Sequence, residues 1–300
     1  MKTAWIFFVA LRYFRTKKKR KRVTVSLLST LGIGIGVMAL VTVMGVMNGF
    51  QIGFIEDIIN ISSYHLMVKP PNPWGDAEVE NLLKSRKDLV AVVPLNDHET
   101  ILAGSFANPE TISLRGLNPG VEREDASLIN QLEIREGSFD LSRPGNIIIG
   151  TQMALALTVS IGDTLGVYSL NLGGPRGIAM EIRDFTVSGI FDSGYYQFDR
   201  ALGFISLEDA ESLSPASFNL SYGIKIQNRY RDRRVLKELK EVLPEGWEVL
   251  SWRDYNRSFF SALRMEKLML IVFLGLIFIV VGVNIRHFLR REIVARKEEI

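Results

Sequence analysis

The sequence contains no cysteine, and this absence excludes several kinds of site at once. Disulfide bonds, thiolate metal ligands and cysteine nucleophiles all require that side chain. The three histidines, His65, His98 and His287, lie far apart, and none has the spacing of a metal site. We therefore predict neither a metal site nor a cofactor in this chain.

Two sequence motifs of enzyme chemistry are also missing. No G-x-x-x-x-G-K-S/T sequence occurs, so the chain has no P-loop for ATP, and no G-x-S-x-G supplies a nucleophilic serine. Acidic residues are plentiful, but acidic surfaces are usually just solvated, and no carboxylate pair indicates a glycosidase. We predict that the chain has no catalytic residues and is not an enzyme.

Two long stretches of the sequence carry no charged residue. Val23 to Met47 is uncharged over 25 positions, and Leu268 to Ile285 is uncharged over 18. About 20 apolar residues in a helix cross the hydrocarbon core of a bilayer, and in lipid such a segment must be helical. We predict transmembrane helices at 23–47 and 268–287, with a soluble region at 48–264 between them.

The distribution of charge predicts how these helices are oriented. Residues 1–22 carry nine Lys or Arg and no acidic residue, whereas residues 48–264 carry a net charge of −8. Basic residues beside a membrane helix remain on the cytoplasmic side. Both termini are therefore predicted to be cytoplasmic, with residues 1–22 as a basic, partly interfacial N-terminus. Attraction to the anionic headgroups of membrane lipids therefore explains the basic run before the first helix, and we predict no binding of nucleic acid.

The two ends of the soluble region show similar patterns. In 65–95, HLMVK, EVENLLKSRKD and VAVVPL predict a strand, a helix and a strand, and YGIKIQ, RVLKELKEVL and WEVLSW in 222–252 repeat that order. The apolar faces predicted for the two helices are Val79, Leu82 and Leu83 in the first, and Val235, Leu236, Leu239, Val242 and Leu243 in the second.

This repetition predicts an α+β fold with two parts. We expect a small α/β part built from about 62–99 and 220–262. Short strands and turn signals dominate between them, so about 100–219 is predicted to be an inserted, mostly β subdomain.

Several longer segments occur together in one known family. They are VALRYFRTKKKRKR with STLGIGIGVMALVTVMGVMNGFQ, LRGLNP, IIIGTQMALALTVSIGDTLGVYS, GIFDSGYYQFDRALGFISLEDA and WRDYNRSFFSALRMEK. Together they resemble the lipoprotein-releasing permeases of the LolC/LolE family, in the same superfamily of ABC transporters as the efflux permease MacB. The last two segments favour the lipoprotein-releasing branch.

This resemblance implies a fold and a set of partners. The outer region is expected to be a MacB-like periplasmic core with a porter-like α/β part. In the bacterial inner membrane, a second permease chain, LolC/LolE-like or identical, and a LolD-like ATPase that binds ATP and magnesium are the expected partners. The complex would extract acylated lipoproteins and pass them to a LolA-like periplasmic chaperone and the outer membrane.

The resemblance also assigns a chaperone-binding hairpin. The matching segment is YSLNLGGPRGIAMEIR, with its tip at Gly173, Gly174, Pro175 and Arg176. An ordinary glycine–proline turn has the same composition, so both interpretations stay open.

Small residues in the first predicted membrane helix indicate a helix contact. Gly32 and Gly36 have the spacing at which two membrane helices approach closely, although glycine is generally common in such helices. Met44 and Met47 add flexible apolar side chains that adapt to lipid tails. We expect these four residues to line a lipid path between two permease chains.

The C-terminal residues resemble the start of a cytoplasmic coupling segment at 288–300. Arg296, Lys297, Glu298 and Glu299 are the candidate contacts to the ATPase, although a charged tail is solvated by default. Members of the family have four spanning helices, so the two predicted here indicate a fragment, a frameshifted reading frame or half of a split permease. The alternatives are an efflux-type permease and a two-helix receptor with an extracytoplasmic sensing domain.

Overall fold

The computed structural model describes residues 5, 20–57, 59, 61, 63–104, 108–174, 177–213, 215 and 217–296. The chain divides into two compact units. We call Phe54–Arg257 the sheet unit, and Met1–Gly53 with Ser258–Ile300 the helical unit. Apart from Trp5, the predicted interfacial stretch before residue 20 lies outside the described residues.

The described elements follow one another along the chain in this order: α1 (Arg20–Asp57), β1 (Leu66–Lys69), α2 (Ala77–Ser85), β2 (Leu89–Ala103), β3 (Glu110–Leu117), α3 (Val121–Glu124), α4 (Ala126–Gln131), β4 (Glu133–Gly137), β5 (Asn146–Gly150), α5 (Thr151–Leu157), β6 (Thr164–Gly174), β7 (Gly177–Asp192), α6 (Tyr196–Ala201), β8 (Leu202–Ser206), α7 (Leu207–Leu213), β9 (Ser221–Ile226), a 3₁₀ turn (Arg229–Arg231), α8 (Asp232–Val242), β10 (Glu248–Ser251), α9 (Trp252–Tyr255) and α10 (Arg257–Arg296).

Two of the described helices are long and apolar enough to cross a membrane. The stretches are Gly34–Gly53 in α1 and Phe260–His287 in α10, with mean hydropathies of 1.7 and 3.0, and neither is buried inside the chain. Large apolar side chains along them are exposed, including Val46 at 67% and Phe273 at 61%. So much exposed apolar surface is typical of a helix that contacts lipid or partner helices.

One mixed sheet of ten strands organises the sheet unit. Its order is β10–β1–β9–β2–β3–β8–β5–β7–β4, and β6 pairs with β2 and β7. Most neighbours are antiparallel, but β3 and β8 are parallel, as are β5 and β7. Because β2 runs from 89 to 103, it passes through the predicted division between residues 99 and 100. The two predicted parts of the outer region therefore share one sheet.

The two ends of the sheet unit form one layer, and their predicted strands and helices are confirmed. Leu66 of β1 lies opposite Ile224 of β9 and Ser251 of β10, so strands distant in sequence are neighbours. Helices α2 and α8 contribute to one shared core on this layer, through residues such as Leu83 and Leu239. Burial of these apolar side chains is the main favourable term that holds the layer together.

Two residues assigned to the apolar helix faces are not buried. Leu82 and Val242 are 38% and 50% exposed, so that part of the prediction is wrong. Each directly precedes a buried leucine, Leu83 or Leu243, and successive helical residues lie about 100° apart. The helices thus contact the sheet through a narrower stripe than the sequence pattern indicated.

The strands of the inserted region alternate between two further cores. In β5, Ile147 and Ile149 pack in one cluster, while Ile148 packs in the other with Phe204. This alternation follows from the two-residue period of a strand with both faces covered. Five short helices, α3 to α7, connect these strands.

Phe204 provides a test of the core. It is fully buried between Phe139 and Phe191, at ring-centroid distances of 5.4 and 5.5 Å. We expect Phe204→Ala to lower the free energy of unfolding by about 3–5 kcal/mol, because the cavity left behind cannot collapse fully.

The control is Val90→Ala in β2, since Val90 is 60% exposed. We expect this change to alter the free energy of unfolding by less than about 0.5 kcal/mol. Urea denaturation of the full chain in detergent micelles, followed by circular dichroism, measures both. Equal losses for the two variants would contradict the assignment of Phe204 to the core.

Candidate functional site

The predicted chaperone-binding segment forms the hairpin of β6 and β7. Gly174 lies opposite Gly177, so only two residues connect the strands. Gly173 and Gly174 end β6, while Pro175 and Arg176 lie outside the described residues. The sequence therefore located the hairpin and its turn correctly, but the chaperone contact stays a prediction.

Part of this hairpin extends beyond the sheet as a two-stranded arm. β6 pairs with β2 only at 166–168, opposite 101–103. From residue 170 to its end, β6 pairs with β7 alone among the described strands, which gives the arm a length of about 15 Å. Ile182, near the base of the arm, is 57% exposed. Such an unpaired edge is available for contact with another chain.

The four candidate residues of the membrane path lie along α1. Gly32, Gly36, Met44 and Met47 fall within an arc of roughly 120° around the helix axis, because successive residues rotate by about 100°. Apart from the neighbouring backbone of α1 itself, no atom of the described residues lies within 4 Å of a Cβ atom built on either glycine. Close packing among the described residues therefore does not require these glycines, and a contact with a second chain stays a prediction.

The candidate coupling residues lie at the C-terminal end of α10. Arg296 is the last residue of this helix. Lys297, Glu298 and Glu299 lie outside the described residues, so the ATPase contact is not tested.

The chain enters and leaves the sheet unit through two segments that are bonded to each other. We define the incoming segment as the described residues of 59–65 and the outgoing segment as 251–256. The Trp252 amide donates a hydrogen bond to the His65 carbonyl at 3.0 Å. The Ile226 amide of β9 donates to His65 Nδ1 at 3.3 Å. The incoming and outgoing segments are thus fixed to each other and to the sheet.

Polar side chains reinforce the contact between the two segments. Asn256 Nδ2 donates to Ser63 Oγ at 3.2 Å. Ser251 and Asp254 form a capping box at the start of α9, in which the Asp254 carboxylate accepts hydrogen bonds from the Ser251 amide and hydroxyl at 3.3 and 2.9 Å. The outgoing segment therefore has a defined conformation rather than that of a loose linker.

A buried arginine attaches the incoming segment to β2 and β3. The Arg115 guanidinium donates two hydrogen bonds to the Asp97 carboxylate, at 2.7 and 2.9 Å. Its third nitrogen donates to the Ile61 carbonyl at 3.1 Å. The Arg115 side chain is only 3% exposed, and bidentate arginine–carboxylate pairs are among the strongest hydrogen-bonded contacts.

Tyr64 lies between this ion pair and a second one. Its ring centroid is 6.0 Å from the Arg115 guanidinium and 5.3 Å from Lys225 Nζ. Lys225 is itself paired with the buried Asp125 at 2.8 Å. A Cβ atom at Gly223 would come within 2.3 Å of the Tyr64 ring, so only glycine lets the ring lie against β9.

Burial and charge decide the ionisation of this cluster. Burial raises the pKa of Tyr64, so its phenol stays neutral at physiological pH. Burial alone would lower the pKa of Arg115, but the Asp97 charge outweighs it and holds the pKa above its ordinary value. Burial lowers the pKa of Lys225, and the Asp125 carboxylate opposes that shift.

We call Tyr64, Asp97, Arg115, Asp125 and Lys225 the attachment cluster, because they hold the incoming segment on the sheet. Its charged groups are occupied by one another and by backbone carbonyls, and Tyr64 is neutral. In the described part of the chain, no three His, Asp or Glu side chains come together as a metal-binding group. The geometry instead holds the incoming and outgoing segments on the sheet.

Sequence reasoning did not identify this cluster, although one signal was present. Arg115 follows Leu114 in β3, and Lys225 lies between Ile224 and Ile226 in β9, so each base has apolar neighbours along its strand. Arginine and lysine are almost never fully buried unless they are paired, so a base in such a strand indicates a partner. The partner cannot be named from sequence, because Asp125 lies 100 residues from Lys225.

Comparison with known proteins identifies relatives over most of the chain. The profile of the family described as MacB-like periplasmic core domain matches residues 26–241. The lipoprotein-releasing system transmembrane protein LolC of Xylella fastidiosa is 30% identical over 274 residues, which cover 90% of this chain and 65% of that protein. The protein of the same name from Haemophilus influenzae is 31% identical over 304 residues, which cover 98% and 73%.

The chain is thus shorter than these relatives and spans about two thirds of the Xylella fastidiosa protein. Among solved structures, the periplasmic region of MacB from Actinobacillus actinomycetemcomitans has a TM-score of 0.42 and 12% identity. The match covers 68% of this chain and 96% of that one.

Removal of Arg115 tests the attachment. We expect Arg115→Met to lower the free energy of unfolding by about 3 kcal/mol, because it leaves the Asp97 carboxylate without its partner. The double variant Arg115→Met/Asp97→Leu should recover most of that loss, since no unpaired charge remains. Urea denaturation of the full chain in micelles measures both.

Arg135→Met is the matched control, because Arg135 pairs with Asp192 at the surface with 51% of its side chain exposed. Exposed ion pairs contribute less than about 1 kcal/mol, so this variant should stay close to the wild type. If the Arg115 and Arg135 variants lost equal stability, the buried pair would not have the role assigned to it.

Proposed function

Since the chain belongs to the LolC/LolE family of permeases and carries a MacB-like periplasmic core domain, we propose that it is a subunit, or the N-terminal half of one, of an ABC transporter that releases lipoproteins from a membrane. The observation that carries this proposal is the likeness to LolC proteins at 30–31% identity over nearly the whole chain. Because the chain is shorter than these relatives, activity, substrates and partners all form part of the proposal.

The proposed subunit is a permease without enzymatic activity of its own. The chain has no P-loop sequence, so ATP and magnesium would bind to a separate LolD-like ATPase. A second permease chain would complete the membrane part. The charge of residues 1–22 and 48–264 supports an orientation in the inner membrane with both termini cytoplasmic and the sheet unit periplasmic.

The energetics of acyl chains explain why such a permease requires ATP and a shielded route. Each methylene group that leaves the bilayer costs about 0.8 kcal/mol when it becomes exposed to water. A route between the α1 helices of two permease chains would keep the acyl chains covered. The arc of Gly32, Gly36, Met44 and Met47 supports this proposal, because the glycines allow close approach and the methionines adapt in shape.

The attachment cluster gives the sheet unit a role in the same transport cycle. Its incoming and outgoing segments are continuous with α1 and α10, and Arg115 holds the incoming segment to the sheet. In this proposal, a movement of the helices in the membrane would reach the sheet unit through these two segments. In this proposal the hairpin arm of β6 and β7 is the part of the sheet unit that recruits a LolA-like chaperone, which would carry the lipoprotein to the outer membrane.

Depletion of this protein in the cells that produce it tests the proposed function. We expect acylated lipoproteins to accumulate in the inner-membrane fraction and to decrease in the outer-membrane fraction. An outer-membrane protein without acyl chains, measured in the same fractions, serves as the control and should keep its distribution. Unchanged lipoprotein distribution together with greater sensitivity to exported compounds would favour the efflux-type alternative.

The same cells, complemented with variants of α1, test the membrane path. Gly36→Leu should reduce lipoprotein release strongly without loss of membrane insertion, because the larger side chain blocks close helix approach. Val41→Leu is the control, since residue 41 lies roughly 140° around the helix from residue 36. Normal release by the Gly36→Leu variant would exclude the proposed path.

A further inference from the structure

A strongly basic turn stands out in the otherwise acidic sheet unit. Residues 229–234, RYRDRR, carry four arginines and one aspartate, whereas 48–264 as a whole has a net charge of −8. We call 229–234 the basic turn. Arg231 and Arg233 are exposed. Tyr230, which directly precedes Arg231, is 69% exposed.

Most carboxylates near the basic turn already have a cationic partner. Three pairs account for them: Arg86–Asp88 at 2.7 Å, Arg234–Glu238 at 2.8 Å and Arg253–Asp232 at 2.7 Å. By contrast, no carboxylate of the described chain pairs with Arg231 or Arg233. After mutual neutralisation, these two guanidinium groups remain as positive charges at the surface.

An open cavity adjoins the basic turn. Its volume is about 470 Å³, and its lining includes Arg231, Arg234, Asp88 and Glu238. Asp88 and Glu238 form ion pairs with Arg86 and Arg234. The charge of Arg231 is therefore left without a neutralising carboxylate in this cavity. A negatively charged group is therefore the ligand that the cavity and the exposed arginines favour.

Only a short stretch of chain separates the ion-pair partner of the basic turn from the start of an apolar stretch. Asp232, within the turn, bonds through both carboxylate oxygens to Arg253, at 2.7 and 2.9 Å. The apolar stretch of α10 begins at Phe260. The chain from Arg253 to that residue extends at most about 25 Å, whatever its conformation.

We propose that the basic turn binds the phosphate groups of lipid headgroups on the outer face of the membrane that α1 and α10 cross. Arg231 and Arg233 would bind the phosphates, because a guanidinium matches phosphate oxygens with two parallel hydrogen bonds. Tyr230 fits the same surface, since tyrosine is enriched where membrane and water meet. This inference rests on the proposed function, because it requires that the two helices span a membrane.

The absence of cysteine allows a direct test with a single label on the full chain. In one variant the fluorophore is attached at Gln227→Cys, beside the basic turn. In the other it is attached at Glu245→Cys, which precedes β10 and so lies near the end of that strand opposite to Ser251. Each labelled chain is reconstituted into phosphatidylcholine vesicles with or without phosphatidylglycerol. Lipids with a nitroxide headgroup quench the fluorophore where it contacts the membrane surface.

We expect quenching at residue 227 to exceed that at residue 245, and to increase when phosphatidylglycerol is present. Arg231→Gln/Arg233→Gln should reduce the quenching at residue 227 by about half, because two phosphate-binding charges are lost. Arg123→Gln/Arg143→Gln, which removes the same charge from exposed positions elsewhere in the sheet unit, should leave the quenching unchanged.

Alkaline carbonate extraction of the same vesicles separates two kinds of failure. A chain that resists extraction but shows equal quenching at both labels, or no response to the Arg231/Arg233 change, would overturn this inference and leave the proposed function standing. A chain that carbonate removes would overturn the premise of spanning helices, and both proposals with it.

Discussion

The bidentate pair between Arg115 and Asp97 is the interaction on which the attachment of the sheet unit depends. The pair joins Arg115 of β3 to Asp97 of β2. The remaining guanidinium nitrogen donates a hydrogen bond to the Ile61 carbonyl of the incoming segment. The outgoing segment then bonds to the incoming one through Trp252 and His65. Together these contacts hold the incoming and outgoing segments on the sheet.

Such a pair is an unusual way to obtain stability, because burying two charges costs about as much as their attraction returns. An apolar pair would hold the strands equally well, but it would not bind a backbone carbonyl in a fixed direction. The geometry is therefore better explained by the need to orient a segment than by the need for stability. This requirement is compatible with the proposed transport function.

The sequence predicted the elements of this fold better than their arrangement. Apolar periodicity identified α2, α8 and their flanking strands, and the two uncharged stretches identified the apolar helices. It did not reveal that β6 pairs with β2 or that β3 and β8 are parallel, because strand order depends on contacts between distant segments. The same holds for the attachment cluster, whose pairs Lys225–Asp125 and Arg115–Asp97 join residues from different elements. The hairpin was assigned from the resemblance to the family, and its glycine–proline composition is also a local turn signal.

Hydrogen exchange at the Trp252 amide tests the central claim, that the incoming and outgoing segments are part of the sheet unit's core. In the full chain in micelles, we predict that this amide exchanges as slowly as that of Ile149 in the interior strand β5, because both should open only when the whole unit unfolds. Fast exchange at Trp252 while Ile149 stays protected would contradict the claim. The two segments would then open independently of the sheet and would not be part of its core.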